Sequence, residues 1–102
     1  MIILDTTQSL ELDVAGTGGT VSVFVSYSDV DGSSTTLGNS ALVSAPATGV
    51  GVVTAPGSGK RIVHNITVCN LSTTIQLDVT FNVIGSTIQR VYSFETQPLD
   101  QL

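Results

Sequence analysis

Apolar and polar residues alternate along much of this chain. From Ile75 to Gly85 (IQLDVTFNVIG), Ile75, Leu77, Val79, Phe81 and Val83 take every second position, with Gln76, Asp78, Thr80 and Asn82 between them. Side chains along a strand point to opposite faces with a period of two, so this stretch predicts a strand with one buried and one wetted face. Lys60–Asn70 has the same character: Ile62, His64, Ile66 and Val68 share a parity, opposite Arg61, Val63, Asn65, Thr67 and Cys69. With a third run after the Gly85-Ser86 turn, the block from Lys60 to Phe94 predicts three antiparallel strands of one sheet. Upstream, Ser9–Val14 places Leu10, Leu12 and Val14 on one face. Thr20–Ser28 sets Val21, Val23, Val25 and Tyr27 against Ser22, Phe24, Ser26 and Ser28. Phe24 interrupts a polar face and either covers the sandwich edge or meets a partner.

The remaining segments are shorter or more polar. Ile2-Ile3-Leu4, closed by Asp5-Thr6-Thr7, predicts either an edge strand or an arm lying on a neighbouring subunit, within residues 1–7. Ala15–Gly19 is a glycine-rich turn. Asp29–Asn39 reads as a hairpin loop with at most a short strand through Thr35–Leu37. Ala41–Gly59 carries Pro46 and Pro56 and four glycines. Proline withholds a ladder donor, so only Val50–Thr54 is expected to be a strand, the rest forming an extended loop that crosses between sheets. Gln97-Pro98 ends the last strand and leaves 98–102 as a short tail. Seven to eight short strands with turn signals between them predict a single all-β domain over 1–102. The expected architecture is a two-sheet antiparallel β-sandwich with jelly-roll or immunoglobulin-like connections.

Composition agrees with that fold and narrows the function. Val and Thr occur fourteen times each, Ser twelve times and Lys once, and β-branched residues favour strands, so no more than one helical turn is expected. Charged residues are 11% of the chain, against about 25% in ordinary soluble domains. Solubility therefore rests on Ser, Thr, Asn and Gly, which suits a surface partly covered by neighbours. The formal charge is −5 and the basic residues are Lys60, Arg61 and Arg90 alone. So few cations cannot neutralise a row of phosphates or hold an anionic bilayer, and neither nucleic acid nor membrane is expected as a partner. No stretch approaches the roughly 18–20 apolar residues of a membrane span, and MIILDTT lacks the features of a secretory leader. Cys69 is the sole cysteine, which fits a small hydrophobe in a protein made in a reducing cytoplasm.

Each candidate for chemistry falls short of its pattern. Ala55–Lys60 (APGSGK) lacks the first glycine of a phosphate loop, has Arg61 where Ser or Thr is required, and precedes a strand instead of a helix. His64 is the only histidine, and alternation makes it a satisfied residue at the core margin, with Cys69 on the opposite face. No catalytic triad can be assembled from residue order, and a zinc site lacks further ligands. Asp29-Val-Asp31-Gly32 resembles the opening of a calcium loop without its remaining ligands and reads as an Asp-Gly turn. The carboxylates sit on wetted faces or in turns, so no enzyme activity, cofactor or metal is expected.

Three segments carry a family resemblance. LDTTQSLELDVAG at residues 4–16, VVTAPGSGKRIVHNITVCNLS at residues 52–72, and the strand pair with its glycine turn that follows resemble small virion proteins of tailed bacteriophages. Ala55-Pro56, Ser58 and Arg61 fit an Ala-Pro-x-Ser-x-x-Arg segment of that pattern. The resemblance covers most of the chain and assigns a role to no residue. It implies a non-enzymatic capsid decoration (cement) protein on the outside of the virion, made in the host cytoplasm. Such a protein would be a homo-oligomer, a trimer by preference, bound to the major capsid protein or another virion protein. A tail or head–tail connector component and a host-surface binding module are the alternatives. On this reading the expected partner contacts are Ile2, Ile3, Leu4, Phe24, Pro46, Val50 and Pro56, because apolar, uncharged segments are awkward to bury in a small core.

Overall fold

The computed structural model describes residues 2–97. They form eight strands: β1 (Ile2–Leu4), β2 (Ser9–Ala15), β3 (Val21–Asp31), β4 (Ser34–Ser44), β5 (Ala47–Val53), β6 (Lys60–Asn70), β7 (Leu77–Ile84) and β8 (Ile88–Thr96). Two antiparallel four-stranded sheets pack face to face, with orders β1-β6-β3-β4 and β5-β2-β7-β8. The expected all-β two-sheet sandwich is the observed fold. The alternating apolar positions meet between the sheets: Leu4, Leu10, Leu12, Val21, Val25, Leu77, Val79 and Phe81 are wholly buried. Burial removes apolar area from water at about 25 cal/mol per Å², and the period-two pattern puts that area on one side of each sheet.

Neighbour relations differ from the expected ones in four places. The block from Lys60 to Phe94 is divided: β6 lies in the first sheet beside β3, while β7 and β8 form a hairpin in the second. Asn70 and Ser72 explain the division. The Asn70 side chain accepts from the Ser72 N–H at 2.9 Å and donates to the Ile75 carbonyl at 2.8 Å, and Ser72 Oγ accepts from the Ile75 N–H at 3.0 Å. These bonds build an arch that carries the chain across the core, where a hairpin would have kept it in one sheet.

The Asp29–Asn39 loop is instead a hairpin whose turn is Gly32-Ser33, since Asp31 pairs with Ser34 and β4 runs on to Ser44. Gly32 has φ 61° and, among the described residues, only glycines have positive φ, so Gly32 followed by Ser33 has the pattern of a type II′ turn that suits the twist of paired strands. The third difference is in Ala41–Gly59. It is mostly strand, with a corner at Ala45-Pro46 and a loop only from Thr54 to Gly59. Both β4 and β5 are edge strands, and an edge needs one bonded neighbour and little apolar surface, which small residues supply.

A β-bulge in β6 is the fourth. Ser26 pairs with Asn65 but Tyr27 pairs with Val63, so His64 is an extra residue. Parity reverses at that point: Ile66 and Val68 pack inward on one side of the bulge, and Val63 packs inward on the other. His64 is exposed and not at the core margin. A second bulge makes Val91 extra in β8, because Phe81 pairs with Tyr92 and Asn82 with Arg90.

Candidate interaction surfaces

The two outer faces of the sandwich have opposite character. On the first sheet the outward rows run Ile3–Ile62–Ser28–Leu37, Thr67–Phe24–Ala41 and Cys69–Ser22–Val43 across the strands. Leu37 is 81% exposed, Val43 63%, Ile3 51% and Phe24 45%. The polar row Asn65–Ser26–Asn39 lies between the first two of these, and the row Lys60–Val30–Thr35 places one exposed charge, Lys60, at the end of the same face. On the second sheet the outward positions include Glu11, Asp13, Asp78 and Glu95, with Arg90 on the same side. Half of the chain's eight acidic residues therefore sit on one face. Asp13 also ties strands together there, accepting from the Gly49 N–H at 2.8 Å and from Asn82 at 3.1 Å.

The sandwich is stitched along one side and open along the other. At the β4–β5 side, the Ser40 hydroxyl donates to the Val52 carbonyl at 2.6 Å, bridging the sheets. At the opposite side β1 covers only Arg61–Val63 of β6, so among the described residues the rest of β6 and all of β8 have an unpaired edge. Between them lies a cleft of about 460 Å³, lined chiefly by Ile66, Val68, Phe81, Tyr92 and Phe94. Tyr92 and Phe94 face inward by register, yet both are exposed, because among the described residues no strand stands opposite them. The Phe81 and Phe94 rings pack with centroids 6.4 Å apart, within the range of favourable aromatic pairs.

Polar groups close the two ends of the cleft side. Arg61 donates from Nε to Asp29 Oδ1 at 2.7 Å and from one terminal nitrogen to Oδ2 at 2.9 Å. Its other terminal nitrogen donates to the Thr54 carbonyl at 2.7 Å. Its guanidinium lies 4.4 Å from the centre of the Tyr27 ring, a cation–π geometry. The hydrogen bond from Arg61 holds the Asp29 carboxyl below its usual range, and Asp29 in turn raises the arginine. At the other end Asn70 is buried and Thr96 donates to the Leu77 carbonyl at 2.7 Å.

The remaining candidate residues serve as local struts. Asp31 accepts from the Ser58 hydroxyl at 2.7 Å and Asp29 is engaged by Arg61, so the two aspartates of the calcium-like segment hold the β5–β6 loop. His64 Nε2 contacts the hydroxyl of buried Ser28. A nucleophile would need a free pair of N–H groups for its oxyanion, and Ser28 lies in the middle of β3, laddered to both β4 and β6. Asp5 caps the turn after β1: the Thr7 hydroxyl and then its N–H donate to the carboxylate, which lowers its pKa.

Of the expected contact residues, Ile3 and Phe24 are exposed on the first sheet's outer face, and Pro46 is half-buried at the β4–β5 corner. Val50 packs against the core, and Pro56 is buried under the loop. Ile2 and Leu4 are corrected outright. They pair with Val63 and Arg61 and fill the core, because a three-residue edge strand still alternates and sends its two outer side chains inward. Sequence pattern missed Leu37, Val43 and the aromatic lip of the cleft. The signal for the first two was the shared parity of Leu37, Ala41 and Val43, visible once Ser34–Ser44 is read as one strand. No protein-family model, curated protein or solved structure matches this chain.

Proposed function

We propose that this protein is a non-enzymatic structural component of a bacteriophage virion, a decoration protein that lies on the outside of the head and binds the major capsid protein. The observation that supports this reading is the contrast between the two outer faces. A face of low charge that exposes Leu37, Val43, Phe24 and Ile3 among small polar residues suits contact with a large, repetitive surface, since exposed apolar groups gathered on one face accompany interaction sites. An acidic opposite face suits contact with water. Many weak contacts of one small domain multiply through avidity on a symmetric lattice. A protein that binds only the assembled shell stabilises it by mass action against internal pressure.

Co-sedimentation tests this. Purified protein is mixed with expanded, undecorated heads and, separately, with tails of the phage that carries it. Binding to heads, lost in Leu37→Glu/Val43→Glu but kept in Asp78→Asn, is the expected result. Sedimentation with tails alone would move the protein to a tail or connector role. Failure to sediment with either particle would refute a virion role.

A further inference from the structure

We propose that the free edge of β8 pairs antiparallel with the same edge of a second copy, about a two-fold axis at Ser93, so that each copy's aromatic side chains close the other's cleft. Among the described residues nothing pairs with the outer edge of β8, and its run Tyr92-Ser93-Phe94 contains no proline, charge or bulge, the devices that usually protect an edge from pairing. The bulge at Val91 and the charges of Arg90 and Glu95 flank that run. A two-fold antiparallel pair requires that residues facing each other share a sheet face. Centred on Ser93, Tyr92 of one copy meets Phe94 of the other on the cleft side, twice over. Aromatic cross-strand pairs of this kind stabilise sheets.

The bulge supplies the charge complementarity. On the β7 side, Val91 is extra and Arg90 falls in line with outward-facing Asn82. The same bulge against a second β8 puts Arg90 of one copy opposite Glu95 of the other on the outer face, again twice. Moving the axis to Tyr92 or Phe94 separates Arg90 from Glu95 and breaks the aromatic pairs, so a single register satisfies both faces. This contact closes as a dimer, in place of the trimer that the family resemblance implies. It is independent of any role on a virion, and binding or failure to bind heads leaves it unaffected.

The test is reciprocal charge exchange read by sedimentation equilibrium. The wild-type chain should have twice the 10.5 kDa chain mass. Arg90→Glu and Glu95→Arg should each weaken association, on the order of tenfold, because two ion pairs become repulsive contacts. An equimolar mixture of the two variants should associate like wild type, since every cross-copy pair is then again Arg with Glu. Rescue by mixing cannot arise from a folding defect. Ser93→Cys in a Cys69→Ser background should form an intermolecular disulfide on mild oxidation, and Gln89→Cys should not. A wild-type monomer at all concentrations, a trimer, or a dimer insensitive to both charge changes would overturn the proposal. So would a dimer that appears only when residues 98–102 are removed, which would give the cleft to that segment.

Discussion

Phe81 is wholly buried at the floor of the cleft, stacked on Phe94. Truncation to alanine removes a ring from the core and extends the cleft inward, and Phe81→Ala should lose about 3–5 kcal/mol of stability in urea denaturation. Asn70 is also buried, with each side-chain polar atom partnered. Asn70→Leu strands the Ser72 N–H and the Ile75 carbonyl and should cost about 1–3 kcal/mol. The Asp29–Arg61 pair gives a pH-dependent effect. Asp29 has a lowered pKa in the folded chain relative to 3.8, so its stabilisation is complete above that value and fades as pH falls through the lower folded value. Asp29→Asn should therefore be less stable than wild type at neutral pH, by about 1 kcal/mol once solvent screening of the partly exposed carboxylate is allowed for. The two proteins should converge once the pH has fallen through that lowered folded-state value, as measured by melting temperature against pH.

At the scale of elements, β1 and the Thr54–Gly59 loop are the informative pieces. β1 has only three residues, yet it buries Ile2 and Leu4. Fully burying two such side chains is worth roughly 3–6 kcal/mol, so deletion of residues 1–4 should lower the urea midpoint sharply, where a detachable arm would leave it unchanged. The loop turns into β6 through Gly59 at φ 66°, where a Cβ would collide with the Val30 carbonyl oxygen. Gly59→Ala should destabilise by more than about 1 kcal/mol. Gly57 has open space around it and no positive φ, and Gly57→Ala should be neutral or slightly stabilising in the same melt.

The molecule as a whole is a thin slab, 47 × 26 × 17 Å, as two sheets about 10 Å apart require. Five of its seven strand connections cross between the sheets, and only β3–β4 and β7–β8 are hairpins. The crossings put β3, β4 and β6 together, with an outer face whose charge is confined to Lys60 at one end, and set the outward carboxylates of β2, β7 and β8 on the other. Leu37→Glu/Val43→Glu changes two exposed side chains on the outer face of the first sheet, so it should fold with stability within about 0.5 kcal/mol of wild type while losing any partner held by that face.

Local alternation makes the strands β2, β3 and β7 and their buried faces legible in the sequence: Leu10, Val21, Val23, Leu77, Val79 and Phe81 are all in the core. Turn chemistry was legible in part, since Asp31-Gly32 marked a reversal but not its tightness. Periodicity reports which way a side chain points relative to its own backbone. It carries no information on which strand lies alongside, and a single extra residue such as His64 reverses it without changing composition. Sequence alone therefore determined an all-β sandwich with a Val- and Leu-rich interior. Tertiary structure decided that β6 leaves β7 for β3, that Ile2 and Leu4 are core residues, and that Tyr92 and Phe94 line an open cleft, because each depends on long-range strand pairing.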